Sequence, residues 1–299
     1  MRFCLAAVIF VVLLSACTPR ILEPGSDRGP PKLTTTTFIT ADGTALPLHA
    51  WRPAGKPRAV ILALHGFNDY GYFFDDPGDF LTLRGIASYS YDQRGFGGAP
   101  NTGTWAGVAG YTRDAVQAIR ALRYRHPNLP LYLHGSSMGG AVAMLAASGP
   151  NAASVDGVIL AAPAVWGRTT MPWYQRLAIW IGAHVAPNIA LTGRGLGIVP
   201  SDNHEMLVRL GQDPLIIKQT RIGTIYGLVN LMDAALAAAP DLTTPTLILY
   251  GNKDEIIPKT SIQRMLAALP ANRHRIALYQ GGFHMLLRDL QAATVWRDM

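Results

Sequence analysis

The feature that most limits how this chain can fold is a series of short, mostly apolar runs separated by stretches with helical spacing. The runs are 59–64, 86–91, 131–134, 157–161, 246–250 and 275–279. Runs of this length without polar alternation mark strands buried on both faces. Between them, 112–125, 138–147, 261–269 and 286–297 read as helices. Strands alternating with helices specify an α/β fold with a mostly parallel central sheet and helices on both faces. Ahead of this pattern, Phe38-Ile39-Thr40 and the stretch 45–51 flank Asp42-Gly43, which predicts a hairpin. Ligands of such sheets bind beyond the carboxyl ends of the strands. The residues that follow each apolar run are therefore the ones to read for chemistry.

The run 131–134 leads into Gly135-Ser136-Ser137-Met138-Gly139-Gly140, and Ala141-Val142-Ala143-Met144 then opens a helix. In a G-x-S-x-G turn between strand and helix the serine sits at positive φ, and side chains on either flank would clash. The helix start aims its dipole at the place where an oxyanion would form. The run 59–64 leads into His65-Gly66-Phe67-Asn68. Attack on a carbonyl needs two N–H donors directed at the developing charge. The backbone of Met138, next to the serine, supplies one; that of Phe67 supplies the other, with His65 bracing the loop. The run 246–250 leads into Gly251-Asn252-Lys253-Asp254-Glu255. Asp254 or Glu255 can orient a histidine there, and the unused acid is expected to be solvated. Finally Gly281-Gly282-Phe283-His284-Met285 places His284 in a loop before the last helix, as the base.

Other polar residues have structural readings. Asp92 and Arg94 are expected to form a buried ion pair with each other. His134 is expected to be a core histidine with its hydrogen bonds satisfied, and His126 to lie at a helix end. His184 and His204 fall to the surface of an insertion. No H-E-x-x-H or other ligand spacing occurs, so neither a metal nor a cofactor is expected.

The set His65-Gly66, Gly135-Ser136-Ser137-Met138-Gly139-Gly140, Gly251-Asn252-Lys253-Asp254 and Phe283-His284 resembles the α/β-hydrolase superfamily. Within it the chain resembles the monoacylglycerol lipase/lysophospholipase-like branch, also called serine aminopeptidase-like hydrolases. Tyr91-Asp92-Gln93-Arg94-Gly95-Phe96-Gly97 resembles the D-x-R-G-x-G loop of that branch, and Asp213-Pro214-Leu215 resembles part of its cap. The likeness extends from about 35 to 297. It implies an α/β-hydrolase fold with Ser137 as nucleophile, Asp254 as acid and His284 as base, in the chain order usual for these enzymes. Two positions depart from the pattern. Ser136 stands where members often carry His, and Gly98-Ala99-Pro100 replaces a loop that often continues with Ser.

The expected organisation is a core over 38–163 and 231–299, with a helical cap over 164–230. Trp166, Met171, Trp173, Tyr174, Leu177, Ile179, Trp180 and Ile181 make the cap apolar and aromatic. That composition suits an acyl pocket or lid, and equally the packing of a cap onto the core. The reading of function that follows is a serine hydrolase of carboxylic esters such as monoacylglycerols or lysophospholipids. A peptidase-like hydrolase with the same triad would need an acid for the substrate ammonium; Asp202, Glu205 and Asp213 are available. A non-enzymatic envelope lipoprotein on the same scaffold is the third reading.

Residues 1–16 read as an export signal: Arg2, then an apolar run over 3–14, too short to span a bilayer. Leu14-Ser15-Ala16-Cys17 resembles the lipobox of bacterial lipoproteins, which implies cleavage before Cys17, its acylation and a membrane anchor. Thr18 rather than Asp after the cysteine points to the outer membrane. Residues 17–37 carry Pro19, Pro24, Pro30 and Pro31 and are expected to form an extended, unpacked tether. The net charge of +7 comes from scattered residues with no basic run, so nucleic acid is not an expected partner.

Overall fold

The structure, a computed structural model, describes residues 19–150, 152–193, 195 and 197–299. The signal segment and Cys17 lie outside the described residues. In chain order the strands are β1 (Lys32–Leu33), β2 (Thr37–Ile39), β3 (Ala45–Trp51), β4 (Ala59–Leu64), β5 (Ile86–Tyr91), β6 (Leu131–Ser136), β7 (Gly157–Ala161), β8 (Ala190–Leu191), β9 (Thr220–Arg221), β10 (Thr246–Gly251) and β11 (His274–Tyr279). The helices are α1 (Asp75–Thr82), α2 (Gly107–Arg125), α3 (Met138–Ala146), α4 (Trp173–Val185), α5 (His204–Gln212), α6 (Ile222–Ala238), α7 (Lys259–Ala268) and α8 (Ala292–Asp298).

Nine strands form one sheet in the order β1-β2-β3-β5-β4-β6-β7-β10-β11, and β8 pairs with β9 apart from it. From β5 to β11 all pairings are parallel. The β2–β3 hairpin joins antiparallel, with Ile39 opposite Ala45 and Gly43 at φ +85° in its turn. The chain thus has the mostly parallel α/β architecture that its alternating pattern predicts, arranged as the resemblance to α/β-hydrolases implies. The central strands read as continuous apolar runs because both faces are covered. On one face Leu62, Leu133 and Leu160 pack with Tyr111, Ile119 and Val142 of α2 and α3. On the other, Ile61, Ala63, Ile159 and Leu249 pack with Phe73, Phe74, Leu81 and Val295. Helix α3 is buried on almost every side, which explains its lack of a polar face.

Three segments differ from expectation. The last helix begins at Ala292 rather than 286. The Asp289 carboxylate accepts from the Phe283 amide and Ser201 Oγ, and Met285 N–H donates to Pro200 O, so loop contacts win over helix propagation. The expected boundary at 230 falls inside α6, one continuous helix shared by cap and core. Residues 19–37 are extended but not free. Leu22 N–H bonds Trp105 O, Gly25 N–H bonds Asp42 Oδ2, Arg28 N–H bonds Ala41 O, and β1 pairs with β2. Proline sets the chain's extension, while apolar contacts and long-range acceptors that spacing does not reveal decide its packing.

Candidate active site

At the end of β6 the backbone turns sharply at Ser137, which sits at φ 50°, ψ −114°. A non-glycine residue held there is strained and persists only when its surroundings fix it. They do: Ser137 N–H bonds Ala161 O at 2.9 Å, and its carbonyl accepts from Gly140 and Ala164. The flanking glycines are required by space. A Cβ on Gly135 would come within 2.3 Å of Gly139 O, and one on Gly139 within 2.1 Å of Leu64 O. The serine therefore projects past the end of the sheet with α3 starting directly behind it.

His284 Nδ1 lies 2.9 Å from Asp254 Oδ2. The other oxygen of Asp254 accepts the amides of Ile256 and Ile257 at 2.8 and 2.9 Å, which locks the carboxylate in place. Asp254, not Glu255, therefore orients the histidine. Glu255 is exposed, as expected of the unused acid, while its carboxylate accepts the Val199 amide at 3.0 Å at the edge of the cavity. Ser137 and His284 share the wall of that cavity, whose volume is about 590 Å³. Its remaining lining is mostly apolar, with Phe67, Trp166, Met171, Ile179, Val229 and Met232 among the residues.

The loop after β4 brings Phe67 to the same cavity, close to the start of α3. Among the described residues, neither the Phe67 nor the Met138 amide has a hydrogen-bond acceptor. His65 is fully buried under this loop. The Gln93 amide can only donate, so it fixes His65 Nε2 as acceptor and leaves Nδ1–H to donate to Gly66 O at 2.8 Å. Burial pushes the His65 pKa down, which keeps the brace neutral.

Asp92 and Arg94 do not pair with each other. Asp92 accepts from His49 Nε2 and the amides of Gly71 and Gly98. Burial alone would raise its pKa, but the His49 hydrogen bond and these amides hold it below the usual range. Arg94 instead clamps Asp114 through Nε at 2.6 Å and Asp42 through Nη1 at 2.9 Å. A planar guanidinium satisfies two carboxylates where a single pairing would strand one buried charge. His134 is fully buried, as expected, but neither ring nitrogen finds a partner among the described residues. His184 bonds the Trp180 carbonyl, and neither it nor His204 lines the cavity.

Sequence reasoning misses the polar end of the cavity. Asp69 and Arg288 both line it and pair through Arg288 Nη1 at 2.8 Å. Arg288 lies 219 residues after Asp69 in the chain, so nothing in the spacing links the two. Asn68, at φ 63°, donates from Nδ2 to Thr220 Oγ1 at 2.7 Å, and Ile217 N–H bonds its carbonyl. Its Asn identity, tolerant of positive φ, is the one available signal. Among the described residues no cluster of His, Cys, Asp or Glu could hold a metal ion.

Sheet order, strained serine turn and acid–histidine pair define an α/β-hydrolase fold in which Ser137 and His284 face one cavity. Residues 55–291 match the serine aminopeptidase S33 family, and the chain belongs to it. A monoglyceride lipase of Rattus norvegicus is 28% identical over 263 residues, covering 86% of this chain and 85% of the relative. A monoacylglycerol lipase of Mycolicibacterium smegmatis is 23% identical, covering 88% of this chain and 94% of the relative. A soluble variant of the Saccharomyces cerevisiae monoglyceride lipase, solved with a substrate analogue, shares the fold at TM-score 0.72 and 21% identity. That likeness covers 93% of this chain and 96% of that one.

Proposed function

We propose that this protein is a carboxylester hydrolase that cleaves monoacylglycerols, lysophospholipids or similar single-chain esters through an acyl-enzyme on Ser137. The observation that carries the reading is the strained serine at the wall of an apolar cavity that also holds His284, itself oriented by Asp254. His284 Nε2 takes the Ser137 proton as Oγ attacks the ester carbonyl. The Phe67 and Met138 amides hold the oxyanion, each worth roughly 10²–10³ in rate. Collapse breaks the ester C–O bond, and His284 returns the proton to the leaving alcohol. Water, deprotonated by His284, then attacks the acyl-enzyme, and Ser137 leaves with the proton. The similarity to monoglyceride lipases in sequence supports a lipid ester as substrate. Acylation of Cys17 would anchor the chain in a bacterial envelope, on the outer membrane.

A peptidase reading loses the three acids expected to serve it. Asp202 caps the Leu290 amide, Glu205 pairs with Arg209, and Asp213 accepts from Tyr70, and none of the three lines the cavity. The cavity's own Asp69 and Glu255 already hold Arg288 and the Val199 amide. The test is hydrolysis of short and long acyl esters, monoacylglycerol, lysophospholipid and aminoacyl anilides by the protein and its Ser137→Ala variant. Ser137→Ala should lower ester turnover by about 10⁶. Undiminished ester cleavage by that variant, or cleavage of anilides alone by the parent, would overturn the proposal.

A further inference from the structure

Away from the catalytic cavity, the fold gathers cations that the sequence scatters. A second hollow, about 470 Å³ in volume, is lined by Thr34, Thr35, Arg52, Tyr89, Arg125 and His126. None of these residues lines the cavity that holds Ser137. They come from the turn before β2, the residue after β3, the middle of β5 and the carboxyl end of α2. Cations at the carboxyl end of a helix ordinarily offset its dipole. That accounts for Arg125 and His126, but not for Arg52, which arrives from a different element.

Among the described residues, nothing neutralises this group. Arg52 has no hydrogen bond or ion pair there; its guanidinium lies 5.8 Å from the centre of the Tyr89 ring. Arg125 donates from Nη2 to Leu33 O at 2.6 Å and meets no carboxylate. His126 Nε2 lies 3.0 Å from the Tyr89 hydroxyl. Burial, Arg125 and Arg52 push the His126 pKa down, and no acid acts against them. The sequence gives the reason. The stretches 28–41, 43–68 and 115–155 supply every lining residue except Tyr89, and none contains Asp or Glu. Thr34 Oγ1 accepts the amides of Thr36 and Thr37, which fixes the turn. Thr35 is exposed beside it, with its amide and hydroxyl unpartnered among the described residues.

We propose that this hollow is a binding site for a phosphate group, free or as a monoester. Arg52 and Arg125 meet its oxygens from two elements, and Thr35 meets them from a third. Guanidinium forks match phosphate geometry, and each charge-assisted bond is stronger than a neutral one. A tetrahedral anion is met from three sides more fully than a planar carboxylate, which offers two oxygens. A water takes roughly 30 Å³, so the hollow also has room for the group that the phosphate esterifies. Binding here owes nothing to Ser137, and it stands or falls apart from the ester-hydrolase reading.

The test titrates the full chain with inorganic phosphate, glycerol phosphate and acetate at constant ionic strength. Calorimetry reads the affinity, and NMR of isotope-labelled histidine rings reads the place. Both phosphates should bind one site per chain with a Kd of about 1 mM or below, and acetate at least tenfold more weakly. The pKa of His126 should rise when phosphate is bound, because the anion offsets the two guanidiniums. Arg52→Gln breaks no hydrogen bond and should weaken binding about tenfold; Arg52→Lys should recover part of the loss. Arg176→Gln removes the same charge from α4, outside the hollow, and should change nothing. Three results would overturn the proposal: no phosphate binding, acetate binding as tightly as phosphate, or equal losses in the Arg52→Gln and Arg176→Gln variants. The last would show diffuse attraction in place of a site. Competition separates the sources. Vesicles containing phosphatidic acid that displace glycerol phosphate from His126, where phosphatidylcholine vesicles do not, would support the site with a lipid headgroup as its ligand. Failure of both to compete would support it with a soluble phosphate.

Discussion

His134 sits on β6 fully buried, its ring stacked on Phe73 at 6.2 Å, with both nitrogens unpartnered among the described residues. Burial holds its pKa down to about 3, and burial also lowers that of His65. In the unfolded chain both titrate near 6.5. Below about pH 6.5 the unfolded chain therefore binds protons that the native state refuses, and stability falls as pH falls. Well below 6.5 each such histidine contributes a slope of about 1.4 kcal/mol per pH unit. His134→Phe keeps the aromatic stack and removes two orphaned polar atoms. It should stabilise the protein at pH 7 by about 1–3 kcal/mol and reduce the loss between pH 7 and 5, read by urea unfolding at each pH. An unchanged pH slope in the variant would show that His134 is not one of the groups responsible. At the proposed catalytic acid, Asp254→Asn keeps an oxygen for the Ile256 and Ile257 amides but turns an NH₂ toward His284 Nδ1. With the imidazole in the wrong tautomer, kcat should fall by about 10⁴ with stability little changed. A loss below tenfold would mean that another group orients His284.

At the scale of elements, the cap grips each loop that carries the site. Asn68 and Tyr70 of the loop after β4 bond Thr220 and Asp213, Glu255 bonds Val199 N–H, and Met285 N–H bonds Pro200 O. The Asn68–Thr220 bond lies one residue from the Phe67 amide, so cap position and oxyanion donor are coupled. Thr220→Val, an isostere without the acceptor, should lower kcat about tenfold by misaligning that donor, a fraction of what a lost donor costs. KM should move little, and Thr220→Ser should restore the rate. Asn68→Gly keeps positive φ without the side chain and should resemble Thr220→Val; equal kcat in all three variants would show that the bond holds only the cap. The ends of β4, β6, β10 and β11 are legible in the sequence because each follows a short apolar run and carries residues whose chemistry is specific. Arg94 is not legible in this way. Its partners Asp114 and Asp42 lie 20 and 52 residues away, and only the fold makes them neighbours. Glu255 is the surface acid that it reads as, but its bond to the Val199 amide 56 residues away has no signal in the spacing.

For the molecule as a whole, the amino-terminal segment decides how the domain stands relative to any anchor. Its prolines predict a free spacer, yet Ile21 pairs with Trp105, which is 2% exposed, and Arg113 pairs with Asp27. Composition reports that a chain is extended; it does not report whether a groove exists to receive it. A packed segment opens only rarely, and proteolysis then follows the population of the open form. Trypsin should therefore cut slowly after Arg20 and Arg28 in the native protein, although both are exposed and no proline follows either one. Asp42→Ala removes the acceptor of the Gly25 amide and one partner of Arg94, and Ile21→Asp removes the apolar side chain that rests against Gly107. Each should speed cleavage by about tenfold or more, the effect of losing roughly 1.4 kcal/mol of local stability. Ile21→Asp should do so without altering hydrolysis of a soluble ester, because its contacts lie away from the triad. Rapid cleavage of the parent at both arginines would show the segment to be a loose tether and would let the domain move away from a membrane. Slow cleavage would hold the domain within a few residues of any anchor carried at position 17, with α4 beside the point where the described chain begins.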